Sequence, residues 1–405
     1  MDLKSGYPYW AIKNGLMRSF PALDSDLHCE IAIVGGGITG ALIADHLQAA
    51  GHEVAVIEQR DIGWGSTAAS TALLQYEIDT HLLDLARRLG ACDAALAYRA
   101  CAQALDHLRA MARDIRDIGF AWSDSLYLAT RWRERAGLVR EAAARRRLGL
   151  DVDYLDAGEL GERFGLVRPG ALLSRQAACV DPYRLTHRLL QRVAARGARV
   201  HARTRIAEIL PQARSVRLRT AEGTQVHARH VVLATGYAAQ QWLRRRVARN
   251  HSSYAFASDP VPPESLGFLR RTMVWETARP YLYLRATPDH RIIAGGEDDR
   301  IDIPARRDAR VLKKAQAISR KLGELLPHLR FTPAFAWAGT FAETADGLPF
   351  FGPHPQYGGR VHFAMAYGGN GITYSRIGAA LLLARIERRR HPLSALFSFD
   401  RLARH

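Results

Sequence analysis

The feature that most constrains this chain is a glycine-rich turn set between a strand and a helix near its N-terminal end. Residues 29–58 read CEIAIVGGGITGALIADHLQAAGHEVAVIE. Residues 31–34 are a short apolar run of β-branched character, suited to a buried parallel strand. Then comes Gly35-Gly36-Gly37-Ile38-Thr39-Gly40, a G-x-G-x-x-G arrangement. Helical spacing follows through Ala41, Leu42, Ala44, Leu47 and Ala50, and Gly51 stops it as a glycine just past a helix does. A second apolar strand, residues 54–57, closes on Glu58.

Each part has a physical task. Gly35 permits a tight strand-to-helix turn, Gly37 lets the backbone approach a pyrophosphate, and Gly40 lets the helix pack closely on the strand. The helix then opens at Ile38 and Thr39 with unpaired N–H groups and a dipole that favours phosphate. Glu58, eighteen residues past Gly40 and followed by Gln59, is placed to accept hydrogen bonds from ribose hydroxyls. An acid there opposes a 2′-phosphate, which argues against NADP. The predicted fold class is α/β, with a Rossmann-like dinucleotide-binding domain.

Composition bounds the remainder. The 405 residues are 48% hydrophobic and 24% charged, enough for a large core spread over more than one domain. The formal charge of +17 comes almost wholly from arginine, since lysine occurs only at positions 4, 13, 313, 314 and 321. Much of that arginine lies on alanine-rich helical stretches such as 133–147 and 191–199. Solvated arginine faces need no partner, so nucleic acid is not expected. Acidic partners, anionic substrates or membrane headgroups are the alternatives. The four cysteines form no C-x-x-C pair and the sixteen histidines show no ligand spacing, so neither disulfides nor a metal are expected. No stretch is apolar and long enough for a signal peptide or membrane span, and a soluble cytoplasmic protein is the expectation.

Three further segments qualify the cofactor. The first, Arg60-Asp61-Ile62-Gly63-Trp64-Gly65-Ser66-Thr67-Ala68-Ala69-Ser70-Thr71, directly follows the second strand. The second spans residues 177–237. There Asp181 is a predicted helix N-cap with Pro182 at the first helical position. A strand that starts over Gly197-Ala198-Arg199-Val200 and continues over 202–210, a hairpin of 216–219 and 225–228 about Glu222-Gly223, and the run Val231-Val232-Leu233-Ala234-Thr235-Gly236 complete it. The third runs from Phe363 through Tyr367-Gly368-Gly369-Asn370-Gly371-Ile372-Thr373 into a helix over 377–386.

On these motifs the chain resembles the D-amino-acid-oxidase-type flavoproteins, which include glycine oxidase, sarcosine oxidase and γ-glutamylputrescine oxidase. The resemblance runs from about Tyr9 to the last helix. It implies FAD. It places Gly65, Ser66, Thr67, Ser70 and Thr71 beneath the flavin and against the pyrophosphate. It puts backbone near Ile206 at the adenine, and Thr235 and Gly236 by the adenosine phosphate. Gly368, Gly369, Asn370, Gly371, Ile372 and Thr373 would aim a helix N-terminus at the flavin N1–C2=O edge, where its dipole stabilises negative charge. Some relatives attach flavin through a C-terminal cysteine or an N-terminal histidine. Here no cysteine lies beyond Cys179 and residues 66–71 contain no histidine, so the FAD is expected to be non-covalent.

The resemblance also implies interleaved domains. The FAD-binding domain takes 25–90, 171–240 and 335–405. An α+β substrate domain carrying a mixed sheet takes 91–170 and 241–334, and 1–24 form an N-terminal extension. Within the substrate domain, 84–118 and 305–326 are predicted helical and 126–130 a strand. Residues 272–295 are predicted to form a hairpin turning at Thr287-Pro288-Asp289. Trp275, Thr277, Arg279, Tyr281, Tyr283 and Arg285 share one strand parity, with Pro280 interrupting it. With Phe341, the candidate pocket residues are Trp275, Arg279, Tyr281, Tyr283 and Arg285. The alternative is a covered sheet face with snorkelling arginines.

The activity so implied is oxidation of the C–N bond of an amine or N-substituted amino acid. Hydride passes from the α-carbon to flavin N5, giving an imine that hydrolyses. The match departs at the substrate. Glycine oxidase holds a carboxylate with arginines at two places where this chain has Phe341 and Gly369. A buried carboxylate without a partner is costly, so a simple α-amino acid would require Arg279, Arg285 or Arg376 to substitute. The prefix with Tyr9-Trp10 is similar to the γ-glutamylputrescine-oxidase branch. Alternatives are oxidation of a 2-hydroxy acid or polyol phosphate, and an FAD-binding subunit or tRNA-modifying flavoprotein. In sarcosine oxidase a lysine over the flavin speeds reaction with oxygen. No lysine lies between positions 14 and 312, which favours a dehydrogenase serving a quinone or carrier protein over an oxidase.

Overall fold

In the computed structural model, which describes residues 2–6, 8–300, 302–365 and 367–403, the glycine turn joins the strand Leu27–Val34 to the helix Ile38–Ala49. That strand lies near the centre of an eight-stranded sheet. Val54–Ile57 and Gln225–Leu233 flank it in parallel, Arg199–His201 extends one side and Val361–Met365 the other. An antiparallel strand, Phe350–Pro353, forms the edge, and a hairpin of Ile206–Pro211 and Val216–Thr220 is appended to Gln225–Leu233. The period of two decides which side chain goes where. Ile31 and Ile33 join one apolar cluster with Ala41, Leu189 and Leu382 of three covering helices. Ala32 and Val34 join a second cluster with Leu218, Val231 and Phe363. A strand buried on both faces needs the uninterrupted apolar run that this segment has.

A nine-stranded sheet faces the first. Its order runs Pro333–Glu343, Arg249–Ser258, Ile292–Asp299, Tyr283–Ala286, Thr272–Glu276, Ala121–Leu128, Gly170–Cys179 and Leu73–Gln75, with Val152–Asp156 pairing beside Gly170–Cys179. Thr272–Glu276 and Ala121–Leu128 are parallel and the other pairings antiparallel, so the sheet is mixed. The helix Val311–Leu325 buries Ile318 and Leu322 against Phe256, Leu284 and Ile292 on one face of it. Leu73–Gln75, Gly170–Cys179 and Pro333–Glu343 thus belong to the second sheet, although sequence position groups most of their residues with the first. A strand joins whichever edge satisfies its N–H and C=O groups, and chain order does not say which edge that is.

Three local expectations are corrected. The stretch 84–118 forms two helices, Leu82–Leu89 and Ala91–Asp114, broken at Gly90, whose φ of 92° no continuous helix accommodates. The strand beginning at Arg199 does not continue through 202–205; Arg203 has φ 50°, and a new strand starts at Ile206. The hairpin about Thr287-Pro288-Asp289 forms between Tyr283–Ala286 and Ile292–Asp299, but its first arm is not continuous from 272, since the chain leaves the sheet between Glu276 and Tyr283. The N-terminal extension is ordered as a strap. Its helix Tyr9–Asn14 buries Tyr9 and Trp10. Tyr9 Oη and Lys13 Nζ both donate to Asp289, and Asn14 Nδ2 donates to Asp181 at 2.7 Å. Among the described residues no helix is long and apolar enough to cross a membrane.

Gly40 is the tightest position in this arrangement. A Cβ there would lie 1.9 Å from Gly35 O. Gly40→Ala is therefore expected to lower stability by roughly 1–3 kcal/mol or more, through forced displacement of the turn. Gly323→Ala, at a helical site with nothing within 4 Å, is expected to be neutral or stabilising by up to about 1 kcal/mol. Denaturant midpoints of the two variants against the parent protein check both, and equal effects would refute the packing role of Gly40.

Candidate active site

A cavity of about 580 Å³ lies between the sheets and is lined by both. Its floor begins at the glycine turn. Gly35 has φ 119°, and a Cβ on it would meet Ala234 O at 2.3 Å. Gly35, Gly37, Ile38 and Thr39 line the cavity; Gly40 does not, because its task is the helix–turn contact already described. Thr67 Oγ1 accepts the Ile38 N–H at 2.9 Å, and Thr39 Oγ1 meets Ser375 Oγ at 2.8 Å, tying this helix to Gly371–Ile386. Glu58 lines the same end with Gln59, Ile206, Thr235 and Gly236. Its carboxylate accepts the Gly36 N–H at 2.7 Å and the Arg60 N–H at 2.8 Å, yet burial pushes it above the usual carboxylate range.

The loop after Glu58 forms the middle of the cavity, where Gly65, Ser66, Thr67, Ser70 and Thr71 all contribute. Its backbone is held at three consecutive carbonyls. Trp337 Nε1 donates to Ala69 O at 2.9 Å, Trp10 Nε1 to Ser70 O at 2.7 Å, and Arg285 Nε to Thr71 O at 2.7 Å. The donors come from the strap and from two strands of the second sheet, far apart in sequence, and all three side chains are buried. No local pattern announces such a clamp. Two other hydroxyls bordering the cavity, Ser66 Oγ and Thr235 Oγ1, are buried without a hydrogen-bond partner among the described residues. Buried polar groups are normally paired, so these two fit an oxygen-rich ligand such as a dinucleotide pyrophosphate. The backbone of the glycine turn, bordering the cavity at Gly35, Gly37 and Ile38, fits the same group.

The second glycine-rich turn closes the far side. Gly368, Gly369, Asn370, Gly371, Ile372 and Thr373 line the cavity as the helix Gly371–Ile386 begins, six residues earlier than its apolar spacing predicts. The Asn370 side chain does not cap this helix; it donates to Glu77 O instead. Tyr237 Oη donates to Gly368 O at 2.9 Å, and Asp79 accepts the Gly369 N–H at 3.3 Å. The first-turn backbone is thereby presented to the cavity, as the binding of negative charge requires.

The roof is aromatic. Trp275, Tyr281, Tyr283 and Phe341 line it, with Tyr281 and Tyr283 ring centroids 5.5 Å apart. Trp275 lies directly across the sheet from Tyr283. The two predicted pocket arginines do not join them. Arg279 is exposed, with its guanidinium 4.8 Å from the Tyr281 ring centroid. Arg285 shares the face of Tyr283 but lies beyond the cavity, bonded to Thr71 O and Val180 O and stacked on Trp10. Strand parity sets the face, while two residues of advance, roughly 6.6 Å, carry Arg285 past the opening. Arg376 is also absent from the lining.

What sequence reasoning missed is acidic. Asp79 and Asp298 line the roof end, and Asp298 Oδ1 is buried with no hydrogen-bond partner among the described residues. Burial first, then the neighbouring carboxylates Glu343 and Asp79, pushes the Asp298 carboxyl up to about 6. The basic residues in the lining, Arg60 and Arg205, sit at the opposite end beside Glu58 and Ile206. The run Gly295-Gly296-Glu297-Asp298-Asp299, acids at the end of an apolar strand, was the available signal.

A protein-family model described as DAO, FAD dependent oxidoreductase, matches residues 30–385. The chain is similar to the glycine oxidase of Geobacillus kaustophilus (strain HTA426), 28% identical across 89% of this chain and 93% of that protein. It is also similar to the gamma-glutamylputrescine oxidoreductase of Escherichia coli (strain K12), 24% identical across 92% of this chain and 87% of the other. Among solved structures, L-proline dehydrogenase from P. horikoshii has the same fold, with a TM-score of 0.78 at 19% identity over 94% of this chain and 99% of that one.

Trp10→Phe and Trp337→Phe each keep an apolar ring and leave one loop carbonyl unpaired. Each loss is expected to cost at least about 1 kcal/mol, or roughly fivefold in the FAD dissociation constant. Fluorescence of flavin released on dilution measures it. Unchanged dissociation constants in both variants would show that the clamp does not serve the cofactor.

Proposed function

This chain belongs to the DAO family of FAD-dependent oxidoreductases, and on that premise we propose that it oxidises the C–N bond of an amine-type substrate. The observation that carries the proposal is the charge of the roof. No arginine, lysine or histidine among the described residues lines that end of the cavity, while Asp79 and Asp298 do. A 2-hydroxy acid or a polyol phosphate is an anion and would be buried there without a partner, at a cost of several kcal/mol. An amine needs no such partner. In the reaction the α-carbon gives up a hydride and the nitrogen a proton, so the C–N bond becomes C=N. Water then hydrolyses the imine to a carbonyl compound and a released amine or ammonia. FAD supplies the two-electron acceptor. Trp275, Tyr281, Tyr283 and Phe341 would hold the apolar part of the substrate and keep water from it.

On the cofactor side, Gly35, Gly37, Ile38 and Thr39 would receive the pyrophosphate and Glu58 the ribose. Ser66 and Thr235 would supply their partnerless hydroxyls, and the turn from Gly368 to Thr373 would face the flavin. The first sheet then serves as the FAD-binding layer and the second as the substrate roof. Among the described residues neither cysteine nor histidine occurs in the lining, which supports non-covalent FAD. Nor does lysine, which supports transfer of electrons to a quinone or carrier protein rather than rapid reaction with oxygen.

Two measurements test this. Acid precipitation is expected to leave a colourless pellet and all the flavin in solution; yellow protein would overturn the non-covalent assignment. Mixed anaerobically with a panel of amines and hydroxy acids, the FAD-loaded protein is expected to bleach with amines. Bleaching by hydroxy acids alone would overturn C–N oxidation.

A further inference from the structure

The roof of the cavity carries more chemical information than the oxidation itself requires. Four aromatic residues wall it, and two carboxylates enter it. Asp79 is tied to the turn by the Gly369 N–H at 3.3 Å. Asp298 lies on the strand Ile292–Asp299, and its Oδ1 is buried with no partner among the described residues. The guanidinium of Arg279, whose charge reaches Asp298, is exposed and rests over Tyr281 rather than entering the cavity. The one buried arginine of the same hairpin, Arg285, is fully engaged with backbone carbonyls and Trp10. Aromatic faces and unpaired carboxylate oxygens attract a cation, and each repels or fails to solvate an anion.

We propose that the substrate carries no carboxylate and has a second ammonium or guanidinium group that keeps its proton, which Asp298, supported by Asp79, binds between Tyr281 and Tyr283. This rests on the C–N oxidation proposed above and narrows it to diamine-type substrates. A compound with two amino groups also resolves a conflict in that chemistry. The nitrogen to be oxidised must lose its proton, whereas recognition by a carboxylate needs a charge that stays. Separate nitrogens meet the two demands. An amino acid would instead bring its carboxylate against two others, and a monoamine would leave Asp298 Oδ1 without a partner while Ser253 bonds the carboxylate.

The test uses the FAD-loaded protein and three compounds of matched length: 1,5-diaminopentane, pentylamine and 5-aminopentanoate. Binding is read anaerobically from perturbation of the flavin absorbance, independently of turnover. The diamine is expected to bind at least about tenfold more tightly than pentylamine, the size of one charge-assisted hydrogen bond, with 5-aminopentanoate weakest. In Asp298→Asn the diamine's advantage is expected to fall to within about threefold. Should that variant fail to load FAD, Phe341→Arg replaces it and is expected to move the order toward 5-aminopentanoate. Equal or tighter binding of 5-aminopentanoate by the parent protein overturns the proposal, as does no binding of the diamine. An order unchanged in the variant does so too. Diamine binding without bleaching would leave the cation site standing and count against C–N oxidation. Bleaching by amines with no preference for the diamine would do the reverse.

Discussion

The cavity depends on how closely three pieces of backbone meet at the first glycine turn. Gly35 runs against Ala234 O, and Gly40 lies against Gly35 O; added Cβ atoms would sit 2.3 and 1.9 Å from those oxygens. That contact brings the end of the strand Leu27–Val34, the start of the helix Ile38–Ala49 and the end of Gln225–Leu233 to one point. The helix N-terminus therefore opens into a space that Glu58, Ile206 and Thr235 already border. A larger residue at either glycine would push the helix off the strand and shift the N–H groups that a phosphate needs.

The second dependency is the loop from Gly63 to Thr71. Loops of small residues have many conformations, and ordering one costs entropy. Here the cost is offset by Trp337, Trp10 and Arg285, which take three carbonyls in succession. Ser66, Thr67 and Ser70 of the loop so held all line the cavity. The clamp also explains why the N-terminal strap is ordered. Trp10 supplies one of the three donors, and Tyr9 and Lys13 anchor it to Asp289 in the turn of the roof hairpin. The arginine that sequence parity assigned to substrate thus has a different task, since Arg285 holds the loop at the Thr71 carbonyl.

Legibility divides along the cavity. At the nucleotide end the residues that matter are glycines, small hydroxyl residues and one acid at set spacings within single βα units. Such spacings survive in the chain order, and Gly35, Gly37, Glu58, Ser66, Thr235 and Gly368 all border the cavity. At the roof end the lining is assembled from residues hundreds of positions apart, as Asp79 against Gly369 illustrates. Nothing local in Ile78-Asp79-Thr80 says that it will face a turn nearly three hundred residues away. Asp298 had a local hint, acids ending an apolar strand, but its missing hydrogen-bond partner exists only in three dimensions.

The dinucleotide turn and the α/β class are written in the chain's own periodicity and glycine spacing. The mixed second sheet was implied only by the resemblance, and the structure bears it out. Only the tertiary structure decided which sheet Leu73–Gln75, Gly170–Cys179 and Pro333–Glu343 would join, that Arg285 would grip a loop and that two carboxylates would meet an aromatic roof. The reason is physical. Parity and spacing fix the direction of a side chain relative to its own backbone. What that side chain meets is fixed by which distant edges and faces pair, a choice made by the burial and hydrogen bonding of the whole chain.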